Sequence, residues 1–318
     1  MINPRKVVVI GDGAVGSSIS FSLLLGHAVN EIVVVDVNRE KAEGDVLDMA
    51  DGMSFLSVPK TIKAGGYEDI EDAHIIIVTA GAAQKKGETR LDLLHKNAAI
   101  MESVCTQMKP HLDPHAIVII VSNPCDVLTY LAYTLLGLPS KQVFGSGTVL
   151  DTSRLKSAIS SDTGIDPRNV HTFVVGEHGD SEVALWSATS IGGLSLLDYS
   201  MQCPDCNLSH LDELHDKVRN AAYEIIEKKG ATNYAVALAV SKIVSAVLND
   251  EKSVLTVSTY IKSEFGGALS DVYLSLPCVV GSNGVSRILH PSYSKKEQLA
   301  IVDSGKALKE KIAEMMAK

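Results

Sequence analysis

The chain has 318 residues, 46% hydrophobic and 21% charged, enough apolar material for about two globular domains and too much for a disordered chain. Its 29 Lys and Arg against 38 Asp and Glu leave a net charge of −9, which argues against nucleic acid or an anionic membrane as a general partner. No run of about 20 predominantly apolar residues is available to span a bilayer. Five cysteines, at 105, 125, 203, 206 and 278, are too sparse and odd in number for a disulfide framework, so reduced thiols and a cytoplasmic location are expected.

In chain order, Val7–Ile10 is a continuous β-branched run, as expected of a strand buried on both faces. Asp12 and the glycines after Ile10 cut this run too short for a secretory signal. The pattern repeats at Ile32–Val35, Ile75–Val78 and Ile117–Val121, with helix-compatible segments such as Val15–Leu25 and Leu91–Met108 between. Strand and helix in alternation predict a mostly parallel sheet wrapped by helices. Past residue 145 the texture changes. Asp151–Ser160 reads as helix, Val170–Val175 as strand, and 209–229 and 233–248 as long helices. Val254–Tyr260 and Val272–Ile288 read as antiparallel strands, with Ser282-Asn283-Gly284 as a turn. Ser294 and Glu297 have capping-box spacing at the head of a charged C-terminal helix. The expected fold class is α/β: a doubly wound domain over 1–145, then an α+β domain over 146–318, tightly packed with a cleft between.

Gly11-Asp12-Gly13-Ala14-Val15-Gly16 follows the first strand and opens a helix. In such a turn the first glycine permits the bend, the second lets a pyrophosphate approach, and the third lets helix pack on strand. The helix N-terminus offers free N–H groups to phosphates. Asp36 ends the next strand, 20 residues after Gly16, where an acid accepts from ribose hydroxyls and repels a 2′-phosphate. NAD is therefore favoured over NADP. Asp12 is odd in this place, since an acid beside a pyrophosphate is unfavourable unless turned away.

Four further segments place polar groups where a cleft would lie. Gly81–Arg90 reads as a mobile loop after a strand; Ser122-Asn123-Pro124 follows another strand; Leu150-Asp151-Thr152-Ser153-Arg154 opens a helix with Asp151 and Arg154 on one face; and Gly176-Glu177-His178-Gly179-Asp180 is a sharply turned loop. Singly, these read as surface charges, turn residues and an ordinary loop histidine. Cys203-Pro204-Asp205-Cys206 with His210 and His215 has some look of a zinc or redox site. The second pair follows too closely for a zinc finger, so a solvated loop with reduced thiols is expected, and no metal.

In this order and spacing, GDGAVG, TAGAAQKKGETRLDLL, SNPCDVLTY, GTVLDTSRL, GEHGDSE and KKGATNYA resemble the lactate/malate dehydrogenase family, in particular its bacterial L-lactate dehydrogenases, from about residue 5 to the C-terminus. The resemblance implies a Rossmann domain, then a substrate domain, and NADH-dependent reduction of pyruvate to (S)-lactate. It makes His178 the proton donor and acceptor, Asp151 its partner, and Arg154 the binder of the substrate carboxylate. Arg90 would polarise the ketone, Asn123 would bond near its oxygen, and Thr232 would line the pocket. It places Val15, Asp36, Lys41, Tyr67, Gly81, Ala82, Ser103, Val121, Asn123 and Ser146 at NAD-contacting positions beside Gly11, Gly13 and Gly16. Gln84 stands where a malate enzyme would carry an arginine for the second carboxylate, which favours lactate over malate, with Lys85 and Lys86 as neighbours able to blunt that preference. A broader 2-hydroxy-acid range is the nearest alternative. A catalytically silent NAD-binding regulator is the alternative of another class, and it would need neither His178 nor Arg154. The resemblance also implies a homotetramer and an interface site for fructose 1,6-bisphosphate at Lys156 and His171. A lysine stands there in place of the family's arginine and cannot fork onto a phosphate, so weak activation is expected. The family's proline after the His178 loop is missing from Glu182-Val183-Ala184-Leu185-Trp186, which predicts a local backbone change.

Overall fold

The computed structural model describes residues 5–83, 89–203 and 210–317. Its first half runs β1 Lys6–Ile10, α1 Ala14–Leu25, β2 Glu31–Val35, α2 Arg39–Asp51, β3 Thr61–Ala64, β4 Ile75–Val78, α3 Arg90–Met108, β5 Ile117–Ile120, α4 Cys125–Leu136 and β6 Val143–Gly145. The second half runs α5 Val149–Thr163, β7 Val170–His171, β8 Val174–Val175, β9 Val183–Ala184, β10 Ser190–Ile191, β11 Leu194–Ser195, α6 Leu196–Gln202, α7 Leu211–Lys229 and α8 Tyr234–Leu248. It ends with β12 Ser253–Leu255, β13 Ser258–Ile261, β14 Val272–Ser275, β15 Cys278–Gly281, β16 Gly284–Ile288 and α9 Lys295–Met316.

Among the described residues the main sheet has the order β14-β13-β6-β5-β4-β1-β2-β3. From β3 to β6 all pairings are parallel, giving the order 3-2-1-4-5-6 of a doubly wound dinucleotide fold. The apolar runs read from the sequence are these strands, and their period of two divides them between two cores. Val8, Ile10, Val33, Ile76 and Val118 face a cluster that includes Leu94, Leu128 and Ile301 of α3, α4 and α9. Val7, Val9, Ile32, Ile75 and Ile117 face Ile19, Val46 and Val244 of α1, α2 and α8. A smaller cluster around Leu155, Ile159, Val170, Val174, Leu214 and Val218 holds the second half together.

Residue 145 does not end the sheet. Ser258 of β13 pairs with Gly145 of β6, so β13 and β14 extend the parallel sheet with antiparallel strands from the second half. Two single strands of the sequence reading prove to be pairs. Val170–Val175 divides at Thr172-Phe173: β7 pairs with β10 and β8 with β9, and the Thr172 and Thr189 hydroxyls meet at 2.7 Å where the chain changes sheets. Val254–Tyr260 divides at Thr256, whose carbonyl accepts from Thr148 N–H at 3.1 Å while β12 joins β15 and β13 joins β6. The residues after Glu182, where a proline is absent, form β9. The capping box at Ser294 and Glu297 is present.

β1 and β4 are neighbours at the point where strand order reverses, so their carboxyl ends open the crevice used by ligands in such sheets. Gly11 has φ +102°, and a Cβ there would stand 2.6 Å from Ala80 N. A Cβ on Gly16 would fall 1.8 Å from the Gly11 carbonyl oxygen. The helix therefore starts against the strand with no room for a side chain. Gly16→Ala is expected to destabilise the fold by about 2–4 kcal/mol, read as a lower denaturation midpoint at unchanged slope; an unchanged midpoint would show that the helix start yields freely.

Candidate active site

The loop after β8 delivers His178, and it is fixed from three sides. Its backbone N–H donates to Asp126 Oδ2 at 2.8 Å, and Asp126 Oδ1 accepts from the Ser258 hydroxyl at 2.5 Å. The preceding Glu177 donates its N–H to Ser304 Oγ of α9 at 2.9 Å, accepts from the Ser181 hydroxyl at 2.6 Å, and pairs with Lys311. Asp126 and Glu177 lie inside motifs that the sequence reading singled out, but nothing in a linear motif shows that they converge on one loop. Asp126 is a buried acid whose carboxyl burial pushes up to about 6.

His178 Nδ1 lies 2.7 Å from Asp151 Oδ2, and Asp151 Oδ1 accepts from Arg154 at 2.8 Å. The helical spacing of three places Arg154 one turn after Asp151 on α5, so both side chains reach the same point. Asp151 is 2% exposed. Burial opposes its charge, yet His178 and Arg154 hold the carboxyl below its ordinary range. For His178 burial pushes the imidazole down; Asp151, reinforced by Asp126 and Glu182, outweighs it and raises the pKa to about 9. Three buried carboxylates from separate segments thus act on one ring. With Nδ1 on Asp151, Nε2 is the atom left to exchange a proton with a ligand. Glu182, also buried, meets His215 Nε2 of α7 at 3.3 Å, and His210 meets Asp162 at 2.8 Å. The two histidines near the CxxC motif thus face carboxylates.

Arg90 opens α3 with its side chain mostly exposed. Its guanidinium donates to Asp180 Oδ2 at 2.6 Å and to the Tyr223 hydroxyl at 3.2 Å, while Tyr223 donates to Asp180 Oδ1 at 2.9 Å. It therefore stands two residues from His178 along the loop, on the rim of the site. Asn123 is exposed at the end of the β5 connection, and its carbonyl accepts from Asn97 Nδ2 at 2.8 Å. The buried Asn97 also accepts from Ala82 N–H at 2.7 Å, so one α3 side chain fastens the loops after β4 and β5 together. Sequence reading passed over Asn97, Asp180 and Tyr223. Asp180 at least lies in a quoted motif; Tyr223 gave no signal. Thr232 is half-buried in the α7–α8 connection. Gln84, Lys85 and Lys86 lie outside the described residues.

The nucleotide turn fits a dinucleotide. A Cβ on Gly13 would meet nothing within 4 Å, leaving an open cradle at the α1 N-terminus. Asp36 accepts from Asp12 N–H at 2.5 Å and from Asn38 N–H at 2.8 Å, which holds its carboxylate beside the turn. Lys41 Nζ reaches the Asp12 carbonyl at 2.5 Å. Val121 and the buried Ser146 follow β5 and β6, with Ser146 N–H on the Ile120 carbonyl at 2.8 Å. Gly81 and Ala82 follow β4, Val15 is half-buried in the first turn of α1, and Tyr67 is half-buried beyond β3. Ser103 is exposed on α3, 13 residues after Arg90.

His171 is exposed on β7 and Lys156 half-buried on α5, where burial pushes its ammonium pKa down. Among the described residues no group of three or more His, Cys, Asp or Glu is placed to hold a metal ion, and no helix is long and apolar enough to cross a membrane. Cys105, Cys125 and Cys278 are free and buried. Cys203 is disulfide-bonded, which corrects the expectation of a reduced thiol at that position. Cys206 lies outside the described residues.

Comparison with known proteins covers both halves. The lactate/malate dehydrogenase NAD binding domain matches residues 5–145, and the lactate/malate dehydrogenase alpha/beta C-terminal domain matches 148–318. L-lactate dehydrogenase 1 of Clostridium acetobutylicum is 49% identical over 308 residues, 96% of this chain and 97% of that protein. An L-lactate dehydrogenase of Clostridium perfringens is 46% identical over 310 residues, 97% of this chain and 96% of that one. The crystal structure of the minor L-lactate dehydrogenase of Enterococcus mundtii in its ligands-bound form aligns with a TM-score of 0.94 at 41% identity, covering 98% of each chain. MGS-M5, a lactate dehydrogenase from a Medee basin deep-sea metagenome library, aligns at 0.94 with 37% identity over 99% of this chain and 100% of its own. With an NAD-binding domain, a parallel-dominated sheet and a carboxylate-held histidine at its edge, the chain belongs to the lactate/malate dehydrogenase family.

Proposed function

We propose that the protein is an NAD-dependent L-lactate dehydrogenase that reduces pyruvate to (S)-lactate and runs the reverse oxidation. The observation that carries this reading is the cluster of His178, Asp151 and Arg154, a proton donor and an anion binder held by one buried carboxylate. Arg154 pairs the substrate carboxylate, for which a planar guanidinium is suited. When bound, NADH supplies the hydride to the carbonyl carbon. His178 Nε2 gives its proton to the carbonyl oxygen, and the imidazole left behind is reprotonated from water. Arg90, moved from Asp180 onto the substrate, stabilises charge on that oxygen, and Asn123 adds a hydrogen bond. Asp151 keeps the ring oriented and favours its charged form, the form that reduces a ketone. In the reverse direction neutral His178 takes the hydroxyl proton of lactate.

Gly13 and the α1 N-terminus would cradle the pyrophosphate, Asp36 the adenosine ribose, and Lys41, Tyr67, Gly81, Ala82, Val121, Asn123 and Ser146 the remaining length of NAD, with Val15 under the turn. Loss of NADH absorbance tests the function: rapid oxidation is expected with pyruvate and much slower oxidation with oxaloacetate. No turnover with either keto acid would leave a silent NAD-binding protein.

Assembly as a homotetramer is part of the proposal. Phe21 and Leu25 of α1 and Tyr234 and Leu238 of α8, all exposed on helices that pack on one another, support self-association. Lys156 and His171 lie on neighbouring elements and form the proposed site for fructose 1,6-bisphosphate. A half-buried lysine with a lowered pKa is a poor phosphate clamp, so activation at millimolar effector is expected to stay small and Lys156→Arg to increase it several-fold. Steady-state rates with and without effector measure this, and strong activation of the unmodified enzyme at micromolar level would show the lysine sufficient.

A further inference from the structure

The nucleotide turn carries a carboxylate that phosphate binding does not use. Asp12 is fully buried, and its Oδ1 has no hydrogen-bond partner among the described residues. Its Oδ2 lies 3.1 Å from Lys41 Nζ. The same ammonium donates to the Asp12 carbonyl at 2.5 Å and, one helical turn along α2, to Asp45 Oδ2 at 2.6 Å. The Asp12 N–H in turn donates to Asp36 Oδ2. Lys41 is thus tied by two Asp12 oxygens to the turn that also holds the ribose-facing acid, and by Asp45 to its own helix. It sits five residues after Asp36, at the β2–α2 junction, where a cation would have to stand to meet a phosphate on the adenosine 2′-oxygen.

We propose that Asp12 is a second cofactor-discriminating carboxylate, which by holding the Lys41 ammonium in the turn denies that charge to a 2′-phosphate and so acts with Asp36 to favour NAD(H) over NADP(H). Repulsion by Asp36 alone is a weak barrier if a flexible lysine nearby can swing over and offset it. Asp12 opposes the swing from a fully buried carboxylate, while Lys41 and Asp45 remain partly exposed, at 45% and 38%. Burial pushes the Asp12 carboxyl up to about 6, against the pull of Lys41, so at neutral pH the charged, Lys41-holding form predominates. The acid that is out of place for binding a pyrophosphate is well placed for occupying a lysine.

The inference rests on NAD use by this family, and its test needs no keto acid. Calorimetric titration of the full chain with 5′-AMP and with adenosine 2′,5′-bisphosphate gives a preference ratio for each variant. Asp36→Ser is expected to shift the ratio toward the bisphosphate by about tenfold, and adding Asp12→Asn to shift it about tenfold further. Adding Lys41→Met to the double variant is expected to cancel the second gain and leave the first. If the second step is absent, or survives Lys41→Met, the proposal is overturned. Thermal melts report whether Asp12→Asn folds. If it does not, Asp36→Ser is compared with Asp36→Ser/Lys41→Met, both retaining Asp12: an equal ratio supports a lysine already withheld, and a ratio that falls on losing Lys41 overturns it.

Discussion

His178→Gln is expected to lower kcat for pyruvate reduction by about 10²–10⁴ while leaving the NADH dissociation constant within about twofold. Glutamine can hydrogen-bond to a ketone but has no proton to give, and the nucleotide turn lies on other elements. Asp151→Asn is expected to act through pH. The His178 pKa is about 9 because Asp151, with Asp126 and Glu182, overrides the burial that would lower it. For the unmodified enzyme, kcat/KM for pyruvate should therefore hold from neutrality and fall as pH rises through about 9, while lactate oxidation gains over the same interval. An amide at 151 removes the largest source of that shift, so the break should move back toward about 6.5, the ordinary histidine value. The same pairing affects stability. A histidine raised in the folded state contributes its full stabilisation below about 6.5 and loses it as pH rises through about 9, so the stability gap between wild type and His178→Gln should close across that window. Wild-type turnover in His178→Gln, or an unmoved break in Asp151→Asn, would remove His178 from the proposed chemistry.

Gln84→Arg is expected to swing the preference from pyruvate toward oxaloacetate by about 3–6 kcal/mol, on the order of 10² to 10⁴ in relative kcat/KM. Gln84 lies outside the described residues; the resemblance places it beside the substrate's methyl group. Pyruvate brings no second charge there and meets a neutral amide. Oxaloacetate brings a carboxylate that the amide leaves unpaired, at the cost of enclosing a lone charge. With arginine the carboxylate gains a bidentate partner, and the pyruvate complex instead encloses an unpaired guanidinium, so both terms change sign together. Lys85 or Lys86, next in sequence, would reduce the swing if either already faced the substrate. Measuring kcat/KM for both keto acids in both proteins at one salt concentration decides the matter. A change below about tenfold, or about 1.4 kcal/mol, means that residue 84 does not choose the substrate.

Much of this protein was legible before any coordinates. The strands β1, β2, β4 and β5 were visible because a strand buried on both faces must be apolar at every position. The nucleotide turn was visible because its glycines answer local demands, as Gly11 and Gly16 show by the absence of room for a Cβ. Asp151 with Arg154 was readable from helical spacing alone. Long-range arrangement was not. That Val170–Val175 and Val254–Tyr260 each serve two sheets follows from where Thr172 and Thr256 meet distant threonines, contacts that no periodicity encodes. The support of His178 by Asp126, Ser258 and Ser304 joins residues up to 132 positions apart. The His178 pKa is a long-range property for the same reason: it depends on three buried carboxylates from separate segments. Asp12 is the sharpest case. From the sequence it is only an acid misplaced in a phosphate turn. Its side chain takes on meaning once α2 folds back and brings Lys41 within 3.1 Å, because a buried carboxylate is defined by the charge that tertiary packing sets against it.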